Sequence, residues 1–391
     1  MTASASRTRW AQDLVRERCF TTQSSTLTFG AELELLAFDA RDHSVLPIAG
    51  GAVCSGLVLA RAVGDQLGWI ESRSDKGVPR FASPNGGALT FEPGGQLEYA
   101  SAVHHSLNGV LGELATVEAA LRSEAADRRV ELLAVGIDPY NDASAAPLQL
   151  SAPRYARMAE YFAGLGPAGA RMMRQTASLQ FNLGGVSVTD AWSAANALAP
   201  WLVAMFGNSR AYGGADSGFA SYRAETWRHV DSRRTGLAHG GEPVADYAMF
   251  AFDAPAFLAS DASLSFAALD DADVSEASLL LHLTTLFPEV RPRNYLEFRS
   301  IDAVDASRRQ LALAMVTGCL ADDLSRADLT ELLGAPDARL LGPAGEIGLA
   351  HPRLGAAVDD IRAIALGGCA RLGNTIVSSE LVERLAAARF C

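Results

Sequence analysis

The stretch Leu27-Thr28-Phe29-Gly30-Ala31-Glu32-Leu33-Glu34-Leu35-Leu36-Ala37-Phe38 sets apolar residues at 27, 29, 33 and 35 against polar or small ones at 28, 30, 32 and 34. That two-residue period predicts a strand with one face for a core and one face carrying two carboxylates. Two more segments repeat the pattern. Leu179, Phe181 and Leu183 alternate with Ser178, Gln180 and Asn182; Leu296 and Phe298 alternate with Tyr295, Glu297 and Arg299. Three distant segments thus offer strand faces bearing carboxylate, amide and guanidinium groups.

Helical spacing is expected over Val110–Arg128, Trp192–Asn208, Ser307–Leu324, Ala356–Leu372 and Glu380–Arg389. Loops rich in Gly, Pro, Ser or Asp are expected at Ser83–Gly87, Pro139–Pro153, Tyr212–Gly218, His239–Pro243 and Gly334–Gly345. Helices and strands mixed without βαβ regularity point to an α+β fold, a mainly antiparallel sheet with helices on its apolar face.

Composition narrows the chemistry. The chain has 391 residues, 45 Asp+Glu against 33 Lys+Arg and a net charge of −12, which argues against a nucleic-acid or anionic-membrane surface. Its longest apolar stretches, near Ala197–Phe206 and Leu311–Ala321, fall short of the about 18 residues a membrane span needs. The N-terminal segment has no apolar run of a secretory signal, so a cytoplasmic protein is expected. Lys76 is the sole lysine, leaving 32 of the 33 basic residues as arginine. A P-loop, which needs Gly-Lys-Ser/Thr, is absent, and a lysine Schiff base would have to use Lys76. Cys19, Cys54, Cys319, Cys369 and Cys391 lack CxxC spacing and read as reduced thiols.

Glu32 and Glu34 share a strand face, and Glu92 and Glu98 flank the tight turn Pro93-Gly94-Gly95-Gln96. With Glu297 they form a carboxylate set suited to Mg²⁺ or Mn²⁺, because clustered carboxylates repel unless a proton, an arginine or a cation intervenes. Spacing alone is equally met by glutamates lining a solvated sheet face. Arg171, Arg174, Arg223, Arg228, Arg233, Arg234, Arg291, Arg293 and Arg299 supply guanidinium forks for carboxylate or phosphoryl oxygens. There is no GxSxG elbow and no evident nucleophile.

These segments resemble a known family. Phe29-Gly30-Ala31-Glu32-Leu33-Glu34 resembles the Gly-x-Glu-x-Glu strand of glutamate–cysteine ligases, and Phe91-Glu92-Pro93-Gly94-Gly95-Gln96-Leu97-Glu98 the Glu-Pro-Gly-Gly-Gln-x-Glu motif of the plant-type, second family. Met172 to Asn182 resembles its Met-x-x-Thr-x-x-x-Gln-x-Asn strand. Arg223 to Trp227 with Arg234-Thr235-Gly236, and Phe287 to Arg291 running into Tyr295-Leu296-Glu297-Phe298-Arg299, resemble two further blocks. The motifs keep family order over roughly residues 25–325. Ser-Ile-Asp-Ala-Val follows Arg299 where plant enzymes have Gly-Ala-Asp-Gly-Gly, and the chain looks closest to the bacterial ligases that open ergothioneine biosynthesis.

The resemblance implies a glutamine-synthetase-like fold, a curved, mainly antiparallel β-sheet funnel covered by helices. It implies one catalytic domain over 1–391, with a helical C-terminal part from about 326. It implies an ATP-dependent ligase making γ-glutamylcysteine from L-glutamate and L-cysteine through γ-glutamyl phosphate, for ergothioneine or another low-molecular-weight thiol such as glutathione. Carried over residue by residue, Glu32, Glu34, Glu92, Glu98 and Glu297 would hold Mg²⁺ (or Mn²⁺), with Glu98 and Arg299 at the ATP. Arg299 and Glu297 would act on the transferring phosphoryl group. Arg223, Thr176, Gln180, Asn182, Trp227 and Arg174 would bind substrate. Two alternatives stay open on the sequence: a related ligase joining glutamate to another amine, and a nucleotide- or amino-acid-binding regulator without turnover.

Overall fold

The computed structural model describes residues 3–22, 24–51, 54–73, 77–238 and 241–390, with residues 3–5 as backbone only; Lys76, Cys391 and residues 239 and 240 of the expected 239–243 loop lie outside them. A nine-stranded sheet organises the chain. Its strands are β1 (Thr28–Asp39), β2 (Ile70–Arg73), β3 (Pro79–Ala82), β4 (Ala88–Phe91), β5 (Leu97–Ala100), β6 (Val130–Leu133), β7 (Ser178–Gly184), β8 (Val290–Pro292) and β9 (Leu296–Asp302). They run in the order β8-β9-β7-β1-β5-β4-β3-β2, with β6 pairing the far end of β1, and every pairing in the sheet is antiparallel. All three strands expected from alternation are present.

Register does the positioning. Glu34 lies opposite Glu98, Glu32 opposite Gln180, and Glu297 opposite both Asn182 and Arg291. Directly opposed residues of neighbouring strands have Cβ atoms about 5 Å apart. The pairing therefore gathers groups that sequence scatters over more than 250 positions. The opposite face carries Phe29, Ala31, Leu33, Leu35, Leu179, Phe181, Leu183, Leu296 and Phe298, all buried. Helices Val188–Phe206 and Ala306–Leu320 pack on this face. The first is buried on every side from Ala194 to Phe206, as a helix inside a core must be.

The turn between β4 and β5 is held from both sides. Gln96 takes the Gly94 amide on Oε1 (3.0 Å) and donates Nε2 to the Thr176 carbonyl (2.9 Å), tying the turn to the start of β7. Gly94 itself has no room for a side chain, since a Cβ there would stand 2.0 Å from the Arg174 carbonyl oxygen. Gly94→Ala must displace backbone, and it is expected to cost about 2 kcal/mol in a urea or thermal unfolding experiment. A wild-type unfolding midpoint would contradict this packing.

Two expected boundaries are corrected. The helix expected over Ser307–Leu324 ends at Leu320, because Asp322 caps a new helix, Asp323–Leu333, by accepting from the Ser325 amide. The segment expected as a loop at Gly334–Gly345 contains a 3-10 turn, Ala338–Leu340, and the helix Leu341–Ile347. Two of its glycines serve closeness. Gly342 faces the Arg228 guanidinium and Gly345 the Ala224 methyl, so this helix lies directly on the helix Tyr222–Arg228. The C-terminal part thereby braces an element of the site. Among the described residues, no helix is long and apolar enough to cross a membrane.

Candidate active site

The polar face of the sheet floors a cleft of about 240 Å³. Glu32 and Glu34 reach it from β1, Glu98 from β5, Gln180 from β7 and Arg299 from β9. Glu92 comes from the turn after β4, Thr176 from the approach to β7, and Arg223 and Trp227 from the helix Tyr222–Arg228. That helix is capped by the Ser221 hydroxyl, which accepts from the Ala224 amide. Nine of the residues expected from sequence thus share one cleft.

Three others sit differently. Glu297 lies under the cleft wall, 1% exposed, with its oxygens taken by arginines. Oε1 accepts from Arg291 Nη2 (2.5 Å) and Arg299 Nη1 (2.8 Å), and Oε2 accepts from Arg291 Nε (3.1 Å) with Arg293 Nη1 at 3.5 Å. Asn182 is one step further along β7, opposite Gly30, and does not line the cleft. Arg174 points away; its Nη1 meets the Ala146 carbonyl at 3.4 Å, and only its backbone touches the β4–β5 turn.

The carboxylates fall into two electrostatic states. Burial alone would raise the Glu297 carboxyl, but Arg291 and Arg299 overcome it and hold it down to about 2. Burial, then the charges of Glu98 and Glu297, push Glu32 up to about 8. Burial and Glu34 push Glu92 to about 7, while burial, Glu92 and Glu34 lift Glu98 well above the ordinary carboxylate range. Glu92 and Glu98 pair side chain to side chain, which requires a proton on one of the two carboxyls. Glu34 accepts from the Ser178 amide (2.7 Å), the Ser178 hydroxyl (3.0 Å) and Gln180 Nε2 (3.0 Å). Among the described residues, no three His, Cys, Asp or Glu side chains close on one point. The raised proton affinity of Glu32, Glu92 and Glu98 relieves the repulsion among these buried carboxylates.

Trp227 carries two guanidinium groups over its ring, Arg223 and Arg299, each 5.8 Å from its centre, and lines the cleft. Arg299 also donates to Gln180 Oε1 at 2.5 Å. Several lining residues escaped the sequence reading. Arg154, Tyr155 and Met158 come from the helix Pro153–Ala163, whose start abuts the Pro-rich stretch Pro139–Pro153, and Arg154 has only a one-turn pattern to mark it. A second cavity of about 510 Å³ opens beside the first, sharing Arg154, Thr284 and Arg291 and adding Arg18, Arg293, Tyr247 and Tyr295.

Comparison with known proteins agrees with this geometry. The profile of glutamate–cysteine ligase family 2 matches residues 28–342. The chain is 33% identical over 310 residues to the glutamate–cysteine ligase EgtA of Mycobacterium tuberculosis, covering 72% of this chain and 70% of that protein. It is 32% identical over 327 residues to EgtA of Mycolicibacterium smegmatis, covering 77% and 74%. A glutamate–cysteine ligase of Francisella tularensis, solved in complex with AMP, shares the fold at 13% identity and a TM-score of 0.55, covering 93% of this chain and 81% of that one. With its motifs in order and its profile matched over most of its length, the chain belongs to glutamate–cysteine ligase family 2.

Proposed function

We propose that the protein, read as one catalytic unit, is an ATP-dependent ligase that joins the γ-carboxylate of L-glutamate to the amine of L-cysteine in the cytoplasm, as a step toward ergothioneine. The observation that carries this reading is the convergence of Glu32, Glu34, Glu92, Glu98, Arg223 and Arg299 on one cleft in a family 2 chain. Glutamate fits the 240 Å³ cleft, with a carboxylate on Arg223. The triphosphate fits the adjoining 510 Å³ cavity, where Arg154 and Arg293 offer guanidinium groups.

The γ-phosphoryl group of ATP moves to the γ-carboxylate oxygen of glutamate, releasing ADP. The cysteine amine then attacks the acyl carbon, the C–O bond to phosphate breaks, and the amine loses a proton. Neither step needs a protein nucleophile; both need charge held in place. Arg299, fixed by Glu297 and Gln180, meets charge developing on the transferring phosphoryl oxygens. Arg223, beside Arg299, holds the glutamate, and Trp227 under both guanidinium groups excludes water. Glu32, Glu34, Glu92 and Glu98, hard oxygen donors, would hold Mg²⁺ or Mn²⁺, which neutralises phosphate charge when bound. Glu297, already engaged by arginine, would lend at most one oxygen to that set.

The acceptor is tested by phosphate release with ATP, Mg²⁺ and glutamate, comparing cysteine with other amino acids and small amines. Cysteine is expected to give the highest kcat/KM. A higher value with another amine would overturn the acceptor and leave the phosphoryl chemistry standing.

A further inference from the structure

Asp302, at the end of β9, does not touch the cleft and is 1% exposed. Its carboxylate is nonetheless densely engaged. Oδ2 accepts from the Asn208 amide (2.7 Å) and the Ser209 hydroxyl (2.6 Å), and Oδ1 accepts from the Ser221 hydroxyl (3.0 Å). Arg223 Nη1 stands 3.5 Å from Oδ1, the one ion pair of Asp302 among the described residues. Arg223 is gripped from behind at two further points. Its Nη2 donates to the Arg299 carbonyl (2.9 Å) and its backbone amide to the Ser209 hydroxyl (3.0 Å). Its Nε, buried and without a protein partner, remains free for a ligand.

The geometry points to Asp302 as the positioning residue that keeps Arg223 available to the substrate carboxylate, an inference that rests on the ligase reading above. The reason is competition. Arg223 shares its cleft with Glu32, Glu34, Glu92 and Glu98, and Glu289 lies beside it on the far side. An arginine in that surrounding is drawn toward the nearest carboxylate and fills the space a substrate would take. A buried, hydrogen-bonded carboxylate behind it holds the guanidinium at the wall. Asp302 also fixes Ser221, which caps the helix carrying Arg223 and Trp227, so one side chain sets both the element and its functional group. A neutral residue could satisfy the Ser209 and Ser221 hydroxyls, whose protons rotate; the negative charge is what holds Nη1 of the guanidinium, while the Arg299 carbonyl holds Nη2.

The test uses the full chain with Asp302→Asn and Ser209→Ala, the second removing one donor to the carboxylate together with the acceptor of the Arg223 amide while leaving the Ser221 cap. Steady-state kinetics with glutamate and ATP varied separately, and calorimetric titration with L-glutamate, are read against thermal melts. Asp302→Asn is expected to raise the glutamate KM and weaken glutamate binding about tenfold, and Ser209→Ala about threefold, with the ATP KM within about twofold of wild type. An unchanged glutamate KM in a folded Asp302→Asn protein, or glutamate and ATP KM values rising together, overturns the positioning role. If Asp302→Asn does not fold, Ser209→Ala carries the same two outcomes. Failure of the ligase reading shows separately, as wild-type protein that neither binds glutamate nor releases phosphate with it.

Discussion

Replacing Glu297 by glutamine is expected to lower kcat roughly 100- to 1000-fold, the scale of losing one preorganised charge-stabilising contact. The side chain does not reach into the cleft; it acts through the arginines that do. Its carboxylate holds Arg291 and Arg299 by three hydrogen bonds, with Arg293 at its edge. An amide in its place turns a donor toward donors and leaves buried guanidinium groups uncompensated. Removing one member of a buried ion pair costs about 3 kcal/mol, so a lower melting temperature is expected with the activity loss. Glu32 should respond as well. The charge of Glu297 is one cause of its raised proton affinity, and with that charge gone Arg299 and Arg291 draw it back toward the ordinary range. Full ATP-dependent turnover by Glu297→Gln would contradict this role.

Metal-free protein is expected to lose stability as pH rises, and Mg²⁺ is expected to restore it. Glu32 and Glu92 hold protons up to about 8 and about 7, above the ordinary 4.5, because burial and neighbouring carboxylates penalise their charge. Their folded values exceed their unfolded ones, so the folded protein binds more protons than the unfolded chain between about 4.5 and 8. That contribution is complete below 4.5 and is lost as pH climbs through 7 to 8. A divalent cation at the cluster inverts the sign, since it binds the ionised form and expels the protons. At a hundred times its Kd, Mg²⁺ would add about 2.7 kcal/mol. The thermal shift it produces should therefore be larger at pH 8 than at pH 6. Calorimetry in buffers of different ionisation enthalpy should detect proton release that fades above pH 8. Equal shifts at both pH values with no proton release would remove the cation from the cluster.

Legibility in the sequence followed the length of the pattern. Strands β1, β7 and β9 have at least seven residues each and present enough alternations to fix which side chains share a face. Strands β2 to β6 have four residues each, too few for a period to declare itself. Glu92 and Glu98 were nonetheless legible, because the Pro93-Gly94-Gly95-Gln96 turn dictates that the chain folds back beside itself. The arginines were harder. Arg299 shares the face of Glu297 by simple alternation, whereas Arg291 reaches Glu297 through a cross-strand pairing that no local spacing encodes. Arg174 lay in a matching motif yet turned away, since its helix ends at Gln175 and that end packs on the β4–β5 turn. Asp302 is marked in the sequence only by its place in Ser-Ile-Asp-Ala-Val, a single acid beyond the Glu297–Arg299 alternation. Its weight comes from Asn208, Ser209, Ser221 and Arg223, all about 80 to 94 positions away. Gly342 and Gly345 read as loop for a local reason and are contact surfaces for a tertiary one.

Phosphate release by the full chain with ATP and Mg²⁺, omitting glutamate or cysteine in turn, tests the central claim most directly. The account predicts release that requires both amino acids, with a product of the mass of γ-glutamylcysteine. Release that ignores glutamate, or no release with both present, would contradict it.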